Sequence, residues 1–186
     1  MNRREAVQHI SLLLGGTIVG SNYFLTGCKS STEEKKAFTA EDTAYLDEIA
    51  DTILPATKTP GAKAAKVGAF MNVMVNDCYE EKDQKIFYEG MKKLDDLSEE
   101  TFDGSFMEIN PQQRHDLLVK LDNEQKEYME KKKPEDPSHY FRMMKELTLL
   151  GYFTSEIGHT QARRYKETPG SYEGCIPYKK GDKAWA

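Results

Sequence analysis

The sequence predicts an all-α fold, a small irregular bundle of about five helices followed by an irregular C-terminal tail. Three observations predict it. Apolar residues recur at three- and four-residue spacing in successive segments, the period of a helix buried on one face. Cap, proline and glycine signals flank those segments. No stretch alternates apolar and polar residues convincingly enough for a strand.

The first helix starts near Thr39, whose hydroxyl suits an N-cap, with Glu41 and Asp42 in the first turn. Leu46, Ile49, Ala50, Ile53 and Leu54 then form one apolar face, and Pro55 ends the helix. Pro55 to Ala62, PATKTPGA, is a rigid turn segment. A second helix covers Ala62 to Tyr79 with Phe70, Met71, Met74 and Val75 inward. A third runs from about Asp83 to Leu97 on Ile86, Phe87, Met91, Leu94 and Leu97, and the DGSF stretch breaks its pattern. Asn110 and Pro111 read as a cap followed by proline at the first helical position, and Gln113 completes a capping-box spacing. The fourth helix buries Leu117, Leu118 and Leu121 and trails into NEQKEYMEKKK, a solvated end. After the PEDPS loop a fifth helix begins near Tyr140 and carries Phe141, Met144, Leu147, Thr148, Gly151 and, at its end, Ile157. The closing stretch, TPGSYEGCIPYKKGDKAWA, has turn residues and no period.

Residues 1–27 have a different character. Arg3 and Arg4 form a positive start, and Ile10 to Leu25 is mostly apolar and uncharged. This reads as an export signal rather than part of the fold. The competing reading is an N-terminal anchor helix, against which stand the short apolar run and its three glycines, Gly15, Gly16 and Gly20. Leu25-Thr26-Gly27-Cys28 resembles a bacterial lipobox, in which the cysteine becomes the lipid-bearing mature N-terminus. The alternative is an ordinary cysteine. Residues 28–38 are then a polar tether, and residues 39–186 are the helical domain. Acyl chains on Cys28 hold a protein at a membrane surface without spanning it, at about 0.8 kcal/mol per buried CH₂.

The chain of 186 residues has a formal net charge of −5, and loss of residues 1–27, with two arginines and one glutamate, takes it to −6. An acidic balance without a basic face argues against a nucleic-acid partner. Beyond Cys28 the cysteines are Cys78 and Cys175. An even pair in an exported protein suggests a disulfide; the alternative is two separate buried side chains.

Motifs for chemistry are sparse. No Cys-x-x-Cys-His, no strand-linked GxGxxG and no P-loop occurs, so a covalent c-type haem, a dinucleotide and a P-loop nucleotide have no support. Hence no cofactor is expected in this chain, and no catalytic or metal-binding residue is assigned. Glu156 and His159 have the spacing of di-iron carboxylate bundles, but a second such pair is missing and His139 lies in a loop. Ser155 beside them lacks a nucleophile elbow. Aromatic and methionine residues are dense: SHYFRMMKELTLLGYF holds six in sixteen residues. Core packing and a partner interface both explain them.

Three blocks carry a family resemblance: DTILPATKTPGA from Asp51, LTLLGYFTSEIG from Leu147, and YKETPGSYEGCIPY from Tyr165. They resemble, in order, the gluconate 2-dehydrogenase subunit 3 family, over about Phe38 to Tyr178. The resemblance implies a small subunit of a membrane-associated, FAD-dependent sugar dehydrogenase. It implies a flavoprotein large subunit as partner, which holds the FAD, often joined by a cytochrome c. It implies a role in maturation and export. Arg3 and Arg4 resemble a twin-arginine signal, which exports folded cargo, although Ala6, Val7 and Gln8 depart from the consensus. The expected location is therefore the periplasmic side of a membrane, through a lipid anchor. The competing class is an independent solute-binding or scaffold lipoprotein.

The aromatic, aperiodic stretch from Tyr165 to Tyr178 has two readings: it folds back over its own bundle, pinned by Cys175, or it reaches onto the flavoprotein. In the second, Tyr172 and Tyr178 are anchors and Arg163 and Arg164 form the rim.

Overall fold

The computed structural model describes residues 38–185 other than Pro169 and Tyr172. Five α-helices follow in order: α1 (Ala40–Ile53), α2 (Val67–Cys78), α3 (Glu81–Phe102), α4 (Pro111–Lys131) and α5 (Tyr140–Thr154). A five-residue π-helical turn, Gly158–Ala162, follows α5. No strand forms among the described residues; one isolated parallel bridge pairs Arg164 with Trp185. The all-α expectation holds.

Two helix starts are built as their sequences predict. At α1 the Asp42 amide donates to Thr39 Oγ1 (3.0 Å) and the Thr39 amide donates to Asp42 Oδ2 (2.9 Å). At α4 the Gln113 amide donates to Asn110 Oδ1 and the Asn110 amide to Gln113 Oε1, both at 3.0 Å. Each reciprocal pair satisfies two amides that the helix itself leaves without acceptors.

The α2 start differs from the sequence expectation by five residues. Ala62 to Lys66 forms tight turns, and Lys66 adopts a left-handed φ of 55° before the helix begins at Val67. Tertiary contact decides this. The Gly68 amide donates to Asp47 Oδ1 of α1 at 2.7 Å. A Cβ on Gly68 would lie 2.5 Å from the Thr43 carbonyl oxygen, so only glycine lets the two backbones approach so closely. The left-handed residue aims α2 into that contact.

α5 is the central element and packs against each of the other four helices. Tyr140, Phe141, Met143, Met144, Leu147, Thr148, Gly151 and Tyr152 are all buried on it. Most of the aromatic and methionine density in SHYFRMMKELTLLGYF is therefore core. Leu46 and Ile49 of α1, Met71 and Val75 of α2, Phe87 and Leu94 of α3, and Leu117 and Leu121 of α4 close around it. Phe106, in the break after α3, is fully buried as well. The end of α4 is less solvated than expected, since Gln125 is buried.

Cys78 and Cys175 are separate, exposed thiols. Neither the expected bridge nor the alternative of two buried side chains is what forms. Cys78 closes α2, whereas Cys175 sits in an exposed loop that no packing holds against that helix end.

Candidate partner-docking surface

The chain leaves α5 by a tight turn around Ser155. Its Oγ donates to the Tyr152 carbonyl (2.7 Å) and accepts from the Gly158 amide (3.0 Å). Gly158 is buried against the last turn of α5, where a Cβ would fall 1.9 Å from the Tyr152 carbonyl oxygen. That close approach starts the π turn, which closes with the Arg163 amide donating to the Gly158 carbonyl at 3.0 Å. The Tyr152 hydroxyl donates to the Pro60 carbonyl (2.8 Å), fixing this end of α5 to the PATKTPGA segment. Two of the blocks singled out in the sequence therefore meet. The third starts beside them, where the Tyr165 ring meets His159 edge-on at 5.8 Å between centroids.

From Tyr165 onward every described residue is exposed. Tyr178 is 75% exposed and Trp185 53%. The segment is not loose at its base, however. The Arg164 amide donates to the Ala184 carbonyl at 2.8 Å, and Lys183 Nζ donates to the Gln161 carbonyl. The Arg164 guanidinium lies 4.4 Å from the Trp185 ring centroid, a cation–π contact. Arg163 covers the Phe153 ring in the same way at 4.6 Å. The stretch is thus an exposed loop whose two ends are clasped together. Its described residues do not cover the bundle core.

The predicted interface residues fall into three groups. Arg163 and Arg164 are half-buried in stacking contacts and build the base of the loop. Tyr178 projects from it. Tyr172 lies outside the described residues, as do Arg3, Arg4 and Cys28. The sequence reading missed Trp185. Its signal was the single tryptophan of the chain placed twenty-one residues after an Arg-Arg pair, but nothing local links the two. On the helices, Val73 of α2 and Leu149 and Leu150 of α5 are also exposed.

The Glu156/His159 pair is not assembled as a ligand set. His159 Nδ1 lies 3.2 Å from the Ser155 carbonyl oxygen, and Glu156 is exposed. Among the described residues no group of three or more His, Cys, Asp or Glu is placed to hold a metal ion.

A separate open groove of about 490 Å³ lies at the other end of α5. Lys93, Asp96 and Glu100 of α3, Glu124 and Tyr128 of α4, and His139 line it. His139 caps α5: its Nδ1 accepts from the Phe141 amide at 3.2 Å, so the proton of the neutral ring is on Nε2, 3.6 Å from Glu124. Burial holds the ring below the usual histidine range against the opposing pull of Glu124. His139 here is a helix-capping group.

The profile of the family described as gluconate 2-dehydrogenase subunit 3 matches residues 40–170. The chain belongs to this family. The match to gluconate 2-dehydrogenase subunit 3 runs from the start of α1 through the π turn into the exposed loop, and it ends before the clasp partners Ala184 and Trp185. The family description names a subunit, so a partner subunit is implied. No curated protein and no solved structure matches the chain.

Proposed function

We propose that this chain is the non-catalytic small subunit of an exported, FAD-dependent, gluconate-type dehydrogenase complex. It acts in maturation, export and membrane attachment of a flavoprotein partner, which carries the FAD. The family match over residues 40–170 carries this reading. Two features of the sequence support the finer role. Arg3 and Arg4 ahead of a mildly apolar run suit a route for folded cargo, and a small helical chain without a cofactor motif gains from that route only through a partner. Cys28 suits lipid attachment, and no helix among the described residues is long and apolar enough to cross a membrane. The family resemblance adds a cytochrome c as a further member that often joins such complexes.

The test is co-purification. An affinity-tagged full-length chain, isolated from membranes of its own host under mild detergent, should bring down a flavoprotein that lacks its own signal, in near-equal amounts and with a flavin absorbance. Isolation of the chain alone, with a small solute bound, would favour the independent lipoprotein instead.

A further inference from the structure

Charge is segregated along this chain. Residues 38–162, which form the helical body, carry 15 basic and 25 acidic side chains, a formal −10. Residues 163–186 carry six basic and three acidic side chains, a formal +3. The clasped, exposed loop is therefore a net-positive segment on a net-negative body. It also presents Tyr165, Ile176, Tyr178 and Trp185 to solvent.

These features bear on one another. A basic loop on an acidic body has electrostatic reason to lie down on that body, yet every described residue beyond Arg164 stays exposed. The backbone bond to Ala184, the stacked Trp185 and the Lys183 contact join the loop's ends to each other at the foot of α5. A loop closed at its base loses less conformational freedom on binding than a free tail does. Aromatic anchors with a charged rim are the composition of a protein-binding surface. Both signs of charge occur in the loop, since Glu173 and Asp182 stand among Lys179, Lys180 and Lys183. That mixture suits a patterned protein surface better than a uniformly anionic lipid one.

We infer that the loop from Arg163 to Trp185, held in shape by the Arg164–Trp185 clasp, is the docking element for an acidic face of the partner subunit. This rests on the reading that a partner subunit exists. Lys179 and Lys180 meet acidic groups on the partner, Tyr178 enters its surface, and the clasp keeps them presented.

The experiment uses the full chain purified in detergent and its flavoprotein, with binding measured by calorimetry at about 50 and about 300 mM salt. The unaltered chain should bind more weakly at high salt, as exposed charge pairs are screened. The double variant Lys179→Glu/Lys180→Glu should weaken binding at least tenfold at low salt and flatten the salt dependence. Trp185→Ala should weaken it at least tenfold at both salts, and neither variant should shift the thermal melt of the free subunit. Unaltered binding by both variants overturns the loop as the docking element while leaving the partnership intact. Failure of the unaltered chain to bind overturns the partnership and the loop assignment together. Vesicles with one-third anionic lipid, and sedimentation of the chain alone, complete the test. Lysine-dependent vesicle binding without lysine-dependent flavoprotein binding, or lysine-dependent self-association, assigns the loop to a membrane or a second copy and overturns the inference.

Discussion

Arg114 joins three segments distant in the chain. From α4, its Nε donates to the Phe106 carbonyl (2.8 Å), its Nη2 to the Met107 carbonyl (2.6 Å), and its Nη1 to Glu48 of α1. Its guanidinium also lies 5.5 Å from the Phe106 ring centroid. Lys63 holds the same glutamate at 2.6 Å, and its hydrogen bond, with the charge of Arg114, keeps the Glu48 carboxyl below its ordinary range despite partial burial. Arg114→Met keeps much of the stem but strands two carbonyls, and it should cost about 2–4 kcal/mol in urea denaturation. A loss under 1 kcal/mol would show that water replaces the guanidinium without penalty. Asp122 gives a pH dependence. Burial alone raises its carboxyl, but hydrogen bonds from Lys126 and Lys145 outweigh this and hold it at about 2. A carboxyl depressed in the folded state stabilises above its unfolded value, near 4, and that contribution disappears as pH falls from about 4 to about 2. Asp122→Asn should therefore melt below the unaltered protein at neutral pH, with the gap closing as pH drops through that window. A gap that stays constant from pH 6 to pH 2 would remove Asp122 from the acid response.

At the scale of elements, local signals and tertiary contacts divide the work unevenly. The starts of α1 and α4 were legible because a cap and its reciprocal partner lie three residues apart, within one turn. The core face of α5 was legible because its period is unbroken. The start of α2 was not: Ala62 to Lys66 has ordinary helix formers, and a contact with Asp47, twenty-one residues before Gly68, overrides them. α3 runs five residues past the expected Leu97, through SEETF, because Ser98 is buried with its hydroxyl donating to the Gly104 carbonyl (2.8 Å). A buried serine leaves no apolar signal to read. Gln125 is hidden from the sequence for the same reason. The clasp was illegible because Arg164 and Trp185 are paired by the path of a loop without period. Gly68→Ala tests the α1–α2 approach: its Cβ meets backbone rather than a movable side chain, and about 1–3 kcal/mol should be lost, with α2 shifted relative to α1. An unchanged urea midpoint would mean that the helices slide apart freely.

At the scale of the whole molecule, the helices pack one core around α5, and the aromatic, basic loop stays exposed. If the body supplies stability and the loop supplies association, as proposed, changes in one should leave the other's readout unmoved. The proposed attachment through Cys28 has its own test: Cys28→Ala should shift the exported protein from membrane to soluble fractions, and an unchanged partition and mature mass would exclude lipidation. The central claim is that this chain carries a folded flavoprotein with it out of the cytoplasm. It is tested most directly by replacing Arg3 and Arg4 together with lysine in the native host and measuring flavin-containing dehydrogenase in periplasmic and cytoplasmic fractions. The account predicts that both subunits accumulate in the cytoplasm, with FAD already bound to the partner. Continued export of the flavoprotein while this chain is retained would contradict it.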